Sequence, residues 1–102
     1  MSVMMGLRIP VDPKRFEEVA NGNTERLMGI AERAKQYGAM SHAFYASEAG
    51  DEVLVVDVWP DSESFQKFFS SSPDIGEMVA EAGATGEPHA AFWHEMDTPD
   101  KF

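Results

Sequence analysis

Apolar and polar residues alternate over Ser2 to Ile9, with Val3, Met5, Leu7 and Ile9 on one side and Met4, Gly6 and Arg8 on the other. That is the period of a β-strand. Pro10 ends the run. Asp12 before Pro13 is a helix start, an acceptor for the first free N–H groups followed by a residue that lacks one. From there Phe16, Val19, Ala20, Leu27, Ile30, Ala34 and Tyr37 recur in steps of three and four, a helical stripe over about 13–37. Asn21-Gly22-Asn23-Thr24 is rich in turn formers and predicts a kink or brief break, with Thr24 placed to cap the second helical part. Gly38 stands where a helix end favours positive φ.

A hairpin comes next, with Met40 to Ala46 as its first strand and Val53 to Trp59 as its second. A four-residue loop, Glu48 to Asp51, sets His42 opposite Asp57. A two-residue Gly50-Asp51 turn instead sets His42 opposite Trp59 and Phe44 opposite Asp57. Either even-length loop keeps His42, Phe44, Val55, Asp57 and Trp59 on one face, because side chains alternate sides. Asp57 interrupts an otherwise apolar strand, and a buried carboxylate requires partners.

Pro60 stops the second strand, and Asp61 or Ser62 caps a helix that carries Phe65, Phe68 and Phe69 inward. Ser72-Pro73-Asp74 starts another, whose stripe of Ile75, Met78, Val79 and Ala82 runs to Gly83. His89 to Met96 is the last strand, with Ala90, Phe92, His94 and Met96 on one side and His89, Ala91, Trp93 and Glu95 on the other.

The order β-α-β-β-α-β over residues 1–102 predicts one α+β domain of ferredoxin-like βαββαβ type: a four-stranded antiparallel sheet with helices on one face. Right-handed crossovers put the first and third strands at the centre, flanked by the fourth and second. Hydrophobicity assigns Met5, Leu7 and Ile9, then Leu54, Val56 and Val58, then Ala90, Phe92 and Met96, to the helix side. The open side is expected to hold Met4, Arg8, His42, Phe44, Val55, Asp57, Trp59, His89, Ala91 and Trp93. Such a face is too apolar for water. Two copies packing these faces about a two-fold axis would cover it, a homodimer whose enclosed polar residues line a cavity.

Charge narrows the partners. Residues 1–45 are close to neutral, whereas residues 46–102 hold thirteen acids against two bases, within a net charge of −10. This surface repels phosphate, so nucleic acid and anionic membrane are not expected partners. No apolar run reaches the roughly 20 residues of a spanning helix, and Met1 to Pro10 does not read as a signal peptide. The absence of cysteine removes disulfides and thiolate metal sites and fits a cytoplasmic protein.

The stretch Val53 to Phe69, a strand ending in Trp followed by a capped, Phe-rich helix, resembles the dimeric α+β barrel superfamily, in particular its antibiotic-biosynthesis-monooxygenase-like branch. The resemblance implies dimerisation through the open sheet face, a small-molecule pocket between sheet and helices, and activities that range from cofactor-independent oxygenation to lactone isomerisation. It does not by itself select one. The haem-degrading branch uses an Asn on the first strand and a His in the second helical region. Here Ser2 to Ile9 has no Asn and Asp61 to Gly83 has no His, which argues against haem even though Trp59 matches that branch's Trp.

His42 and Asp57 are the candidate catalytic pair. An aspartate bonded to one ring nitrogen holds the tautomer that leaves the other free to take a proton from a phenol or enol, whose carbanion can react with oxygen. Arg8, Phe44, Val55, Trp59, His89 and Trp93 are the candidate ligand-binding residues, suited to a small apolar or aromatic molecule. No metal and no cofactor are expected, since a centre built on His42, Asp57 and His89 has no spacing motif behind it. The non-catalytic alternative is a small-molecule-binding or stress-related dimer in which His42 and Asp57 are a satisfied polar cluster.

Overall fold

The computed structural model describes all residues, Met1 to Phe102. Its elements are β1 (Val3–Ile9), α1 (Pro13–Asn21), α2 (Thr24–Gln36), β2 (Ser41–Ala46), β3 (Val53–Trp59), α3 (Ser62–Ser70), α4 (Pro73–Glu81) and β4 (His89–Trp93). The strands form one antiparallel sheet in the order β2-β3-β1-β4, with β1 and β3 central as expected. No helix is long and apolar enough to cross a membrane.

Local chemistry sets most of the boundaries. Asp12 accepts from the Lys14 N–H (3.0 Å) and Asp61 from the Ser64 N–H (2.7 Å), so each caps its helix. The long helical stripe breaks at Gly22. There the cap is Asn23, with Thr24 the first helical residue, its hydroxyl turned back to the Asn21 carbonyl. Ser72 precedes Pro73 as expected, but its hydroxyl donates to the Phe68 carbonyl (2.7 Å) rather than capping α4. Gly38 turns the chain from α2 into β2 at φ 108°, with an added Cβ only 2.9 Å from Pro60. Only glycine takes that turn without strain. β4 stops at Trp93, opposite Met4 of β1, instead of running to Met96.

One expectation about the sheet is reversed. In the β1–β3 register Val3, Met5, Leu7 and Ile9 lie opposite Trp59, Asp57, Val55 and Val53. Directly opposed residues share a face. The helix side of β3 is therefore Val53, Val55, Asp57 and Trp59, and the open side is Leu54, Val56 and Val58, the opposite of the assignment by hydrophobicity. Trp59 explains the choice. Its indole is fully buried, with ring centroids 5.6 Å from Phe65 and 5.3 Å from Phe68, and burying it removes far more apolar area from water than a valine would. The core thus lies between sheet and helices, drawing on Met5, Leu7, Ile9, Phe16, Ile30, Val55, Trp59, Phe65, Phe68 and Met78.

Candidate functional site

The hairpin positions the site. Ser47 accepts and donates around the Glu48–Asp51 loop, and its N–H donates to the Glu52 carbonyl (3.0 Å), closing the four-residue turn. The resulting register pairs His42 with Asp57 and Phe44 with Val55, which settles the two alternatives in favour of the longer loop. Because β3 turns Asp57 toward the helices, His42 and Phe44 share that side with it.

Asp57 receives two donors. Trp59 Nε1, which can only donate, reaches Oδ2 at 3.2 Å, and His42 Nδ1 lies 2.7 Å from Oδ1. The carboxylate is 7% exposed, so both bonds form away from bulk water, where each is worth more than on the surface. With Asp57 as acceptor, Nδ1 carries the proton and the Nε2 lone pair of His42 is left without a protein partner. The imidazole is 40% exposed and stands edge-on to Phe44 (centroids 4.7 Å), which in turn meets Phe16 (5.1 Å).

His42 and Asp57 line a cavity of about 530 Å³ between the sheet and α2, α3 and α4. Twenty of its 24 lining residues are hydrophobic, including Leu27, Met28 and Phe69. The exceptions are Lys35, Ser41, His42 and Asp57. Ser41 and Ala43 pair with Val58 and Val56 of the open face, so by alternation β2 offers the cavity their backbone rather than their side chains. A space of this size is in the range of small-molecule sites, an apolar enclosure with few polar groups.

The candidate residues therefore divide. His42, Asp57, Phe44 and Val55 line the cavity, and Trp59 lies behind it, buried, as the second donor to Asp57. Arg8, His89 and Trp93 are on the other side of the sheet, on the neighbouring strands β1 and β4, and do not join the pair. Arg8 is held there by Glu52 through two bonds of 2.9 and 3.0 Å, which keep the Glu52 carboxyl below the usual carboxylate range. His89 shares no face with Asp57. No group of three or more His, Cys, Asp or Glu side chains is placed to hold a metal.

The cavity residues of α2 and α4, such as Leu27, Ile30 and Met78, read in the sequence as core. Their 3.6-residue spacing is the same whether the space they face is filled or open. Lys35 was missed for a different reason: a lysine in the last turn of a helix is what the helix dipole favours, and its position at a cavity has no local signature.

No family model and no curated protein matches the sequence. Solved structures do match the fold. A monooxygenase of Streptomyces coelicolor from the ActVA-Orf6 gene, in complex with nanaomycin D, is 21% identical, with a TM-score of 0.68 over 95% of this chain and 89% of that one. SnoaB, a cofactor-independent oxygenase of Streptomyces nogalater, is 16% identical, with a TM-score of 0.63 over 98% of both chains. A dimeric ferredoxin-like protein from an uncultured marine organism is 12% identical, with a TM-score of 0.67 over 95% of this chain and 92% of that one. With its β2-β3-β1-β4 sheet and helices on one face, the chain shares the ferredoxin-like α+β fold of these structures.

Proposed function

We propose that this protein binds a small planar, largely apolar molecule between sheet and helices and acts on it as a cofactor-independent oxygenase, with His42 as base and Asp57 as the group that orients it. The observation that carries this reading is the His42–Asp57–Trp59 chain at the wall of an apolar cavity, with His42 Nε2 unpartnered. The similar folds include a monooxygenase and a cofactor-independent oxygenase, which supports oxygen chemistry in such a pocket.

The geometry suits one reaction class. An activated CH₂ of an anthrone-like substrate loses a proton to Nε2, and the apolar walls hold the resulting anion next to the imidazolium. Its electron pair forms a C–O bond to dioxygen, which is reduced to a peroxide. The peroxide takes up the proton. The carbon's remaining hydrogen then leaves as a proton, its electron pair forms the C=O bond as the O–O bond breaks, and the departing hydroxide and that proton leave as water. The net change is CH₂ plus O₂ to C=O plus H₂O. General-base catalysis of this kind contributes roughly 10²–10⁴-fold. Isomerisation of an enolisable compound needs the same base and no oxygen.

The open face supports a homodimer. Met4, Leu54, Val56, Val58, Ala91 and Trp93 lie together there, Trp93 half exposed, and the ring of Trp93 rests on Gly6, 2.9 Å from where a Cβ would stand. An apolar sheet face of this kind marks an interface, and a protein of the same fold is described as dimeric.

The test combines oxygen uptake with ligand binding over a panel of anthrones and quinols. His42→Ala is expected to abolish turnover while affinity persists. Binding without turnover in the unaltered protein would instead make the cavity a non-catalytic binding site.

A further inference from the structure

We propose that Lys35 is a specificity-determining residue of the cavity, selecting planar aromatic ligands that carry a carboxylate at the end facing the gap between α2 and β2. The proposal rests on reading the cavity as the binding site.

The mouth can be located from exposure. The inner wall of Met5, Leu7 and Ile9 is at most 5% exposed, whereas Met28 on α2 and Met40 at the entry to β2 are 61% and 57% exposed. A ligand therefore enters between α2 and β2, and Lys35, in the last turn of α2, stands at that entrance. It is the only Lys or Arg among the lining residues, in a chain of net charge −10. The single acid of the lining, Asp57, is occupied by His42 and Trp59 and gives the ammonium no partner.

What Lys35 does contact is weak. Its Nζ lies 3.8 Å from Glu32 in an i,i+3 pair with both side chains about 70% exposed, too long for a hydrogen bond and open to screening. The ammonium is thus available to a ligand anion at the rim. A carboxylate there keeps its charge partly solvated while the aromatic body is buried, which avoids the cost of taking an unpaired charge into the apolar interior. His42 then meets the ligand's carbon framework deeper in the cavity, and the carboxylate fixes which end enters first.

Fluorescence titration with anthracene-9-carboxylate and 9-methylanthracene tests this on the intact protein. The unaltered chain is expected to favour the carboxylate, relative to Lys35→Met, by about fivefold in the ratio of the two Kd values, as for a favourable exposed ion pair. The advantage should fall at high salt and survive in Lys35→Arg, with the methyl compound binding all three proteins alike. If Lys35→Met leaves the ratio unchanged while 9-methylanthracene still binds, the role of Lys35 is overturned and the cavity reading stands. If neither probe binds the unaltered protein, the cavity reading fails and this proposal fails with it.

Discussion

Asp57→Asn separates the architectural from the chemical role of the site, because the two side chains have nearly the same shape. Asp57 accepts from two donors, His42 Nδ1 at 2.7 Å and Trp59 Nε1 at 3.2 Å. An asparagine has one acceptor oxygen and one NH₂ donor. The buried Trp59 N–H has no alternative partner, so the amide oxygen goes to Trp59 and the NH₂ faces His42. His42 Nδ1 must then accept, which moves the ring proton to Nε2. Two charge-assisted bonds become neutral ones, at a cost of about 1–2 kcal/mol in all. In a domain of this size that lowers Tm by roughly 5–15 °C. The chemical effect is larger. With Nε2 protonated His42 can no longer act as base, and turnover should fall by about 10²–10⁴-fold, the scale associated with a base held in the wrong tautomer. Long-range ¹H–¹⁵N spectra of the imidazole, recorded where the ring is neutral, report the tautomer without any substrate. The same Nδ1–H tautomer in both proteins would refute the reasoning, as would a Tm unchanged by the substitution.

Other parts of the molecule carry further expected outcomes. Sedimentation velocity should show a dimer at micromolar concentration, and Val56→Arg, which places a charge at the centre of the open face, should give a monomer with unchanged helix content by circular dichroism. Gly6→Ala should displace the half-exposed Trp93 ring, which the new methyl would meet at 2.9 Å, and so shift tryptophan emission while costing no more than about 1 kcal/mol in urea unfolding. Arg33 on α2 forks onto Asp74 of α4 (2.9 and 3.0 Å) and also donates to Ser72 Oγ (3.0 Å), holding the Asp74 carboxyl below its usual range. A depressed carboxyl pKa stabilises the fold above the ordinary aspartate value, and that stabilisation is lost as pH falls through the lowered one. Asp74→Asn should therefore flatten the stability profile below roughly pH 4, and an unaltered acid limb would show that the pair does not contribute.

The element order, the helix caps at Asp12 and Asp61, the break near Gly22 and a His42–Asp57 pairing, as one of two hairpin registers, were all legible in the sequence. Each depends on residues close along the chain: alternation, a cap followed by a helical stripe, or the number of residues in one loop. The face on which the pair lies was not legible. In Val53-Leu54-Val55-Val56-Asp57-Val58-Trp59 both sides of the strand are apolar, so period-two alternation separates two sets without saying which is inside. Counted locally, Leu54, Val56 and Val58 are the drier set. The decision came from β1, whose register with β3 puts Trp59 opposite Val3 and lets the indole pack on Phe65 and Phe68, and from the donors that make a buried Asp57 tolerable. Such contacts join residues far apart in the chain, and nothing within one strand encodes them. Tertiary structure alone therefore took His42 and Asp57 from the open face to the cavity, left Arg8, His89 and Trp93 behind the sheet, and set Lys35 at the entrance.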